Sequence, residues 1–141
     1  MKPLLSLLLL FLAAISLSCS EMPADWQDMN IEDIAREIDK EVGDAPANRV
    51  SECKIIPIGV KPCGGPRGFL VFSSKHSDEE KLSALAGIYD ELDEKRNSEE
   101  NLISTCEVAS APPLELKNGK CNGTTQNAWN PGDILKLNNI N

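Results

Sequence analysis

The sequence predicts an α+β fold: a small antiparallel sheet with two helices on one face, cross-linked by two disulfides. Two stretches have the apolar periodicity of amphipathic helices, and they alternate with short β-branched stretches bounded by glycine- and proline-rich turns. The resulting order is helix, two strands, helix, two strands, which is typical of α+β domains. Five cysteines in 141 residues, with only 4% aromatic residues, indicate a domain that depends on covalent cross-links.

Asn30 marks the start of the first predicted helix, because its side-chain oxygen can accept a hydrogen bond from the first turn. Apolar residues then recur at helical spacing on one face, and charged residues occupy the other. Gly43 suits the left-handed position that ends a helix. The pattern predicts a helix over residues 31–42. Its core-facing side contains Ile31, Ile34, Ala35, Ile38 and Val42.

A β-hairpin is predicted after this helix. Residues 50–60 are rich in β-branched side chains, but Pro57 cannot donate to a ladder, so this strand is expected at an edge or with a bulge. Two prolines and two glycines in residues 61–66 predict a turn. Residues 68–73 predict a buried strand that returns beside the first.

The second helix is predicted over residues 78–96. Ser77 and Glu80 form a Ser-x-x-Glu capping box at its start. The acidic pairs Asp90-Glu91 and Asp93-Glu94 are expected on its solvated face, opposite the apolar stripe. That stripe consists of Leu82, Leu85, Ala86, Tyr89 and Leu92.

The C-terminal part predicts two more strands. Residues 103–108 form one candidate, and the alternating residues 114–116 lead through the hairpin-type turn Asn118-Gly119 into a second. Trp129 and residues 134–135 are expected either to dock on the core or to fray with the tail. The predicted core contains Ile34, Ile38, Ile56, Leu70, Phe72, Leu82, Leu85, Tyr89, Leu92 and Ile103.

The first residues have the pattern of an export signal. Lys2 precedes an apolar run over residues 4–17, which is too short to span a membrane and matches a signal-peptide core. We expect a signal peptide over residues 1–18, a tether over 19–29 and one domain over 30–141.

Cys19 has two interpretations. The stretch Ser16-Leu17-Ser18-Cys19 resembles a bacterial lipobox, although Ser16 stands where that motif prefers leucine. Cys19 would then carry the lipid that anchors the protein to the membrane. In the alternative, an ordinary signal peptidase cuts nearby, and the product is soluble in the periplasm or secreted.

Cysteine parity favours lipidation, because assigning Cys19 to a lipid leaves four cysteines for two disulfides. Loop-closure entropy does not discriminate between the three pairings. Proximity in sequence favours Cys53–Cys63 across the turn, with Cys106–Cys121 around the Asn-Gly turn.

The formal net charge of −8 argues against nucleic-acid binding, which requires a basic surface. Acidic residues concentrate in 21–44 and 78–100, whereas the stretch between them is basic. The simplest account is acidic helices packed beside a basic hairpin, and the alternative is a functional basic patch. The basic residues are Arg49, Lys54, Lys61, Arg67 and Lys75.

No catalytic or metal constellation is apparent in the sequence. His76 is the only histidine and lies in a polar loop, where it lacks the partners that a general base requires. The cysteine spacings fit neither a zinc knuckle nor a Cys-x-x-Cys redox motif, so no cofactor is expected.

The stretch from Cys53 to Pro66, Cys-x3-Pro-x-Gly-x-Lys-Pro-Cys-Gly-Gly-Pro, resembles small uncharacterised secreted or lipoprotein domains of bacteria. With Phe69-Leu70 and Ser104-x-Cys106, the resemblance covers roughly residues 50–121. It implies export and a cysteine framework, and no activity.

These features favour an envelope lipoprotein or an exported binding or structural module with an unidentified protein partner. One alternative is an inhibitor of a lysozyme or a protease, and another is an enzyme whose carboxylates are assembled by the fold. A loop at residues 57–67 that stands clear of the body favours binding, and a cleft with converging carboxylates favours catalysis. The candidate binding-loop residues are Pro57, Lys61, Pro62 and Arg67.

Overall fold

A computed structural model describes residues 24–138, so the predicted signal peptide and Cys19 lie outside the described residues. The α+β class is confirmed. The helices are α1 (Ile31–Val42), α2 (Glu79–Glu99) and α3 (Asp133–Asn138). The strands are β1 (Cys53–Val60), β2 (Pro66–Ser73), β3 (Leu114–Lys117), β4 (Lys120–Gly123) and β5 (Ala128–Trp129).

Strands β1 and β2 form the predicted antiparallel hairpin, in register from Cys53 opposite Ser73 to Val60 opposite Pro66. Strand β1 lies at the sheet edge, as Pro57 predicts. The short strand β5 joins the other side of β2 in parallel, so the sheet order is β1-β2-β5.

Strands β3 and β4 form a separate two-stranded sheet. Asn118 and Gly119 connect them with positive φ values of 54° and 72°, the geometry that an Asn-Gly hairpin turn favours. This predicted turn is confirmed.

Helix α1 begins and ends where the sequence predicts. The Asn30 side chain accepts a hydrogen bond from the Asp33 N–H at 2.9 Å, and Gly43 follows the helix with a φ of 52°. The buried face consists of Ile34, Ala35, Ile38 and Val42.

The start of α2 differs from the predicted capping box. Asp78, rather than Ser77, caps the helix, since its carboxylate accepts from the N–H groups of Glu80 and Lys81. A carboxylate is the stronger cap because it also interacts with the positive end of the helix dipole. Glu41 of α1 accepts from the Asp78 N–H at 2.9 Å and from Lys81 Nζ at 2.7 Å, which joins the two helices.

The core lies between the helices and the β1–β2 hairpin. Seven of the ten predicted core residues are buried, Ile56 and Leu92 are partly buried, and Ile103 is 96% exposed. Trp129 and Ile134 dock on the core, and the Trp129 and Tyr89 rings form a T-shaped pair with their centroids 6.2 Å apart. The close approach of Trp129 to β2 depends on a glycine, because a Cβ on Gly68 would lie 2.7 Å from the indole Cδ1.

Residues 24–28 form a short 3-10 helix, although the sequence assigned them to the tether. Trp26 and Met29 pack partly against the core, so the folded domain begins before Asn30. Among residues 24–138, no helix is both long and apolar enough to cross a membrane.

The predicted strand over residues 103–108 is wrong, because this segment has no helix or strand. A strand needs a neighbouring edge with free N–H and C=O groups. The N–H groups of Gly59 and Val60 on the outer edge of β1 are occupied by carboxylates of α2, and β3 pairs with β4 instead.

Cys53 and Cys121 form a disulfide with Cα atoms 5.4 Å apart, so the predicted pairing of Cys53 with Cys63 and of Cys106 with Cys121 is wrong. An eight-residue strand places Cys53 more than about 20 Å from the turn that contains Cys63. Strand β4 instead lies against the connector after α1, where the Cys121 N–H donates to the Ala45 carbonyl at 2.9 Å, and the disulfide joins it to the start of β1.

Candidate binding surface

A buried polar cluster joins the hairpin to α2. We call it the Asp93 cluster and define it as Arg67, Asp90, Asp93, Arg96 and Asn97. Asp93 is fully buried, and its carboxylate accepts from Arg67 Nε at 2.7 Å and from Arg96 at 2.5 Å. Arg67 also donates to the Asn97 side-chain oxygen at 2.6 Å. The predicted solvated position of Asp93 is therefore wrong.

The Asp93 cluster also satisfies backbone groups at the end of β1. Gly59 has a φ of 74°, which favours glycine, and its N–H donates to Asp90 at 2.6 Å. The Val60 N–H donates to Asp93 at 2.9 Å, and the Val60 carbonyl accepts from Asn97 at 2.6 Å. The hairpin is thus fixed to α2 immediately before its turn.

Burial raises the pKa of the Asp90 carboxyl above its ordinary 3.8, although the hydrogen bond from Gly59 opposes this effect. Asp90 then releases its proton at a lower pH in the unfolded chain than in the folded chain. The stability of the fold therefore falls as the pH rises from the ordinary pKa of aspartate through the raised pKa of Asp90. We expect Asp90→Asn, which removes the titration, to gain thermal stability relative to the natural protein between acidic and neutral pH.

Melting temperatures of both proteins across a pH series test this expectation. Glu91→Gln is the matched control, because Glu91 is exposed on the same helix and its substitution removes the same charge, so an effect of charge alone would appear in both variants. A difference in melting temperature between Asp90→Asn and the natural protein that stays constant with pH would contradict the assignment.

The turn after β1 faces a segment that lacks regular structure. We call residues 61–66 together with residues 102–108 the turn surface. Lys61 Nζ donates to the Glu107 carbonyl at 2.6 Å. Cys63 Sγ lies 3.4 Å from Ser104 Oγ and 3.6 Å from the Thr105 carbonyl oxygen. Two separate contacts therefore connect the segment to the turn.

The turn surface exposes large apolar side chains. Ile103 is 96% exposed and Val108 is 89% exposed, whereas Leu102 is less so. An open groove of about 420 Å³ reaches this segment at Leu102. It is lined by Val60, Lys61, Pro62, Glu94, Asn97, Ser98, Asn101 and Leu102.

The structure places the four candidate binding-loop residues in different environments. Pro57 is exposed in the middle of β1, and Pro62 is exposed in the turn. Lys61 is half-buried and binds a carbonyl. Arg67 belongs to the Asp93 cluster, so the four residues do not form one patch. Ile103 and Val108 were missed, because their β-branched side chains predicted a strand.

One basic side chain of the hairpin region forms an ion pair with an acidic helix. Arg67 forms an ion pair with Asp93, as charge complementarity predicts. Arg49 instead pairs with Glu52 in its own short 3-10 helix. Of these basic residues, Arg67 is therefore the one that shows the predicted complementarity, whereas Arg49 forms a local ion pair and Lys61 binds a backbone carbonyl.

Asp90 and Asp93 converge without forming a catalytic cleft, since Asp93 is buried and fully engaged by arginines. Within residues 24–138, no group of three or more histidine, cysteine, aspartate or glutamate side chains is placed to hold a metal ion. His76 is exposed in the loop before α2.

No protein-family model matches the chain, and no curated protein or solved structure is detectably similar to it.

Proposed function

We propose that this chain is an exported binding module of the bacterial cell envelope, anchored through a lipid on Cys19, that holds a protein partner on the turn surface. The observation that carries the proposal is the exposure of Ile103 and Val108 on the segment that contacts the turn, where Leu102 lines an open groove. Large apolar side chains exposed on one segment are what an interaction site presents to a partner.

The geometry behind this surface supports binding. Arg67 and Asn97 fix the base of the turn to α2, and Lys61 holds the facing segment. A surface fixed in this way loses little conformational entropy when a partner binds, which favours affinity.

Charge indicates the chemistry of the partner. Exposed carboxylates flank this surface: Glu99 and Glu100 precede segment 102–108, and Glu107 lies within it. Lys61 is already engaged by a carbonyl. We therefore propose a protein partner with an apolar face bordered by basic side chains.

Protease inhibition is a weaker fit to this geometry. An inhibitory loop must stand clear of the body to insert into a cleft, whereas the candidate loop at residues 57–67 is contacted at its turn by segment 102–108. Arg67, one of the candidate binding-loop residues, is engaged by Asp93, and its side chain is only 31% exposed.

We expect an Ile103→Ser, Val108→Ser double variant to bind the partner at least about tenfold more weakly, a loss of about 1.4 kcal/mol. The partner is cross-linked to the natural protein in native envelopes, identified, purified and titrated against each variant. Val50→Ser is the matched control, because Val50 is 46% exposed outside the turn surface. Equal binding by the double variant and the control would contradict the proposal.

Anchoring is tested separately. We expect Cys19→Ala to release the protein from membranes, because the lipid would have no attachment site. Fractionation of cells that express the natural or substituted chain measures this effect. Retention of the variant on membranes, or a mature N-terminus beyond Cys19, would contradict the anchor.

A further inference from the structure

Cys63 and Cys106 are the two cysteines of residues 24–138 that lie outside the Cys53–Cys121 disulfide. Their side chains are exposed, and the two residues form a near pair on the turn surface. We propose that Cys63 and Cys106 form a second disulfide, which closes the turn surface and is reduced before the first.

The backbone on both sides of Cys106 is already held against the turn. Before it, the Ser104 hydroxyl and Thr105 carbonyl contact Cys63 Sγ. After it, the Glu107 carbonyl accepts from Lys61 Nζ at 2.6 Å. Because these contacts flank Cys106 directly, a Cys63–Cys106 bond requires little movement of the backbone.

The surroundings favour reaction at Cys63. Hydrogen bonds from Cys106 and then Ser104 lower the pKa of the Cys63 thiol, and Lys61 assists. The same contact raises the pKa of Cys106. Cys63 is therefore the thiol that ionises first, and the thiolate is the nucleophile in thiol–disulfide exchange.

The oxidant we propose is a disulfide-bearing protein of the thiol–disulfide oxidoreductase class. The Cys63 thiolate attacks one oxidant sulfur, forming a mixed disulfide and releasing the other sulfur as a thiolate. Cys106 loses its proton to solvent and attacks Cys63 Sγ, which releases the second oxidant thiolate. Two electrons pass from the cysteine pair to the oxidant, which leaves as a dithiol after protonation.

Exposure distinguishes the two bridges. Cys53 and Cys121 are 5% and 2% exposed, so a reductant reaches their sulfurs only when the domain opens. Cys63 and Cys106 are both exposed. Exposed disulfides are the more readily reduced class.

Trypsin provides a direct test, because it does not cleave between Lys61 and Pro62 and places each of the four cysteines in its own peptide. The peptides span residues 50–54, 55–67, 97–117 and 121–136. The full chain, exported to an oxidising compartment, is alkylated, digested without reductant and mapped by mass spectrometry. We expect peptide 55–67 linked to 97–117, and 50–54 linked to 121–136.

Graded reduction before alkylation tests the order. We expect Cys63 and Cys106 to be half-alkylated at a reductant concentration about tenfold lower than Cys53 and Cys121. In Cys63→Ser, Cys106 should be alkylated without reductant, while the other bridge stays intact.

Three results would overturn the inference: free Cys63 and Cys106 after oxidising export, a link from Cys63 to another cysteine, or reduction of both bridges together. These measurements need no partner, so they are independent of the proposed function. Loss of partner binding with an intact Cys63–Cys106 link would count against that function alone.

Discussion

Replacing both Cys53 and Cys121 with alanine is expected to lower the free energy of unfolding by about 4 kcal/mol. The two residues are 68 positions apart, and a disulfide that closes a loop of this size removes about that much conformational freedom from the unfolded chain. Both side chains are buried, so their truncation adds a small loss of packing. A loss of this size is a large fraction of the stability of a small domain.

Denaturant titration measures this effect in a Cys63→Ser, Cys106→Ser background. In that background, Cys53–Cys121 is the disulfide whose loss is compared. Reductant should bring the background protein close to the stability of the alanine variant and leave that variant unaffected. A loss below about 1 kcal/mol would show that the Cys53–Cys121 bridge contributes little.

Asp93→Ala is expected to lower the free energy of unfolding by about 3 kcal/mol. The substitution leaves Arg67 and Arg96 without their shared carboxylate and removes the acceptor for the Val60 N–H. Breaking a buried ion pair on one side costs about 3–5 kcal/mol, and both arginines are partly exposed, which places the loss at the lower end.

Glu91→Ala is the control for this substitution, because Glu91 is exposed on the same helix and its loss should change stability by less than about 0.5 kcal/mol. Adding Arg67→Met to Asp93→Ala should recover part of the loss, since it removes an uncompensated charge. Additive effects of the two substitutions would contradict a direct pairing of Arg67 with Asp93.

Local signals predicted the local structure well. Asn30 and Gly43 bound α1, and Asn118-Gly119 forms the predicted hairpin turn, because each depends on neighbouring backbone. The sequence also contained an unused signal for the Asp93 cluster. Asp93 and Asn97 continue the helical spacing of the apolar stripe beyond Tyr89, which places them on the core-facing side of α2.

Contacts between distant parts of the chain were not predictable in the same way. The disulfide depends on β4 meeting the connector after α1, and nothing near Cys53 indicates that approach. The exposure of Ile103 likewise depends on α2 having occupied the edge of β1. The turn surface likewise depends on contacts between distant segments, so the sequence indicated the turn but not the segment that faces it.

The outer edge of β1 affects whether separate molecules of this protein can associate by pairing their strands. An open strand edge can recruit a strand from another chain and start aggregation. Here Pro57 offers no N–H, and the N–H groups of Gly59 and Val60 already donate to α2. Helix α2 therefore protects the end of β1 from pairing with a strand of another copy, and conditions that detach the helix would free these two N–H groups.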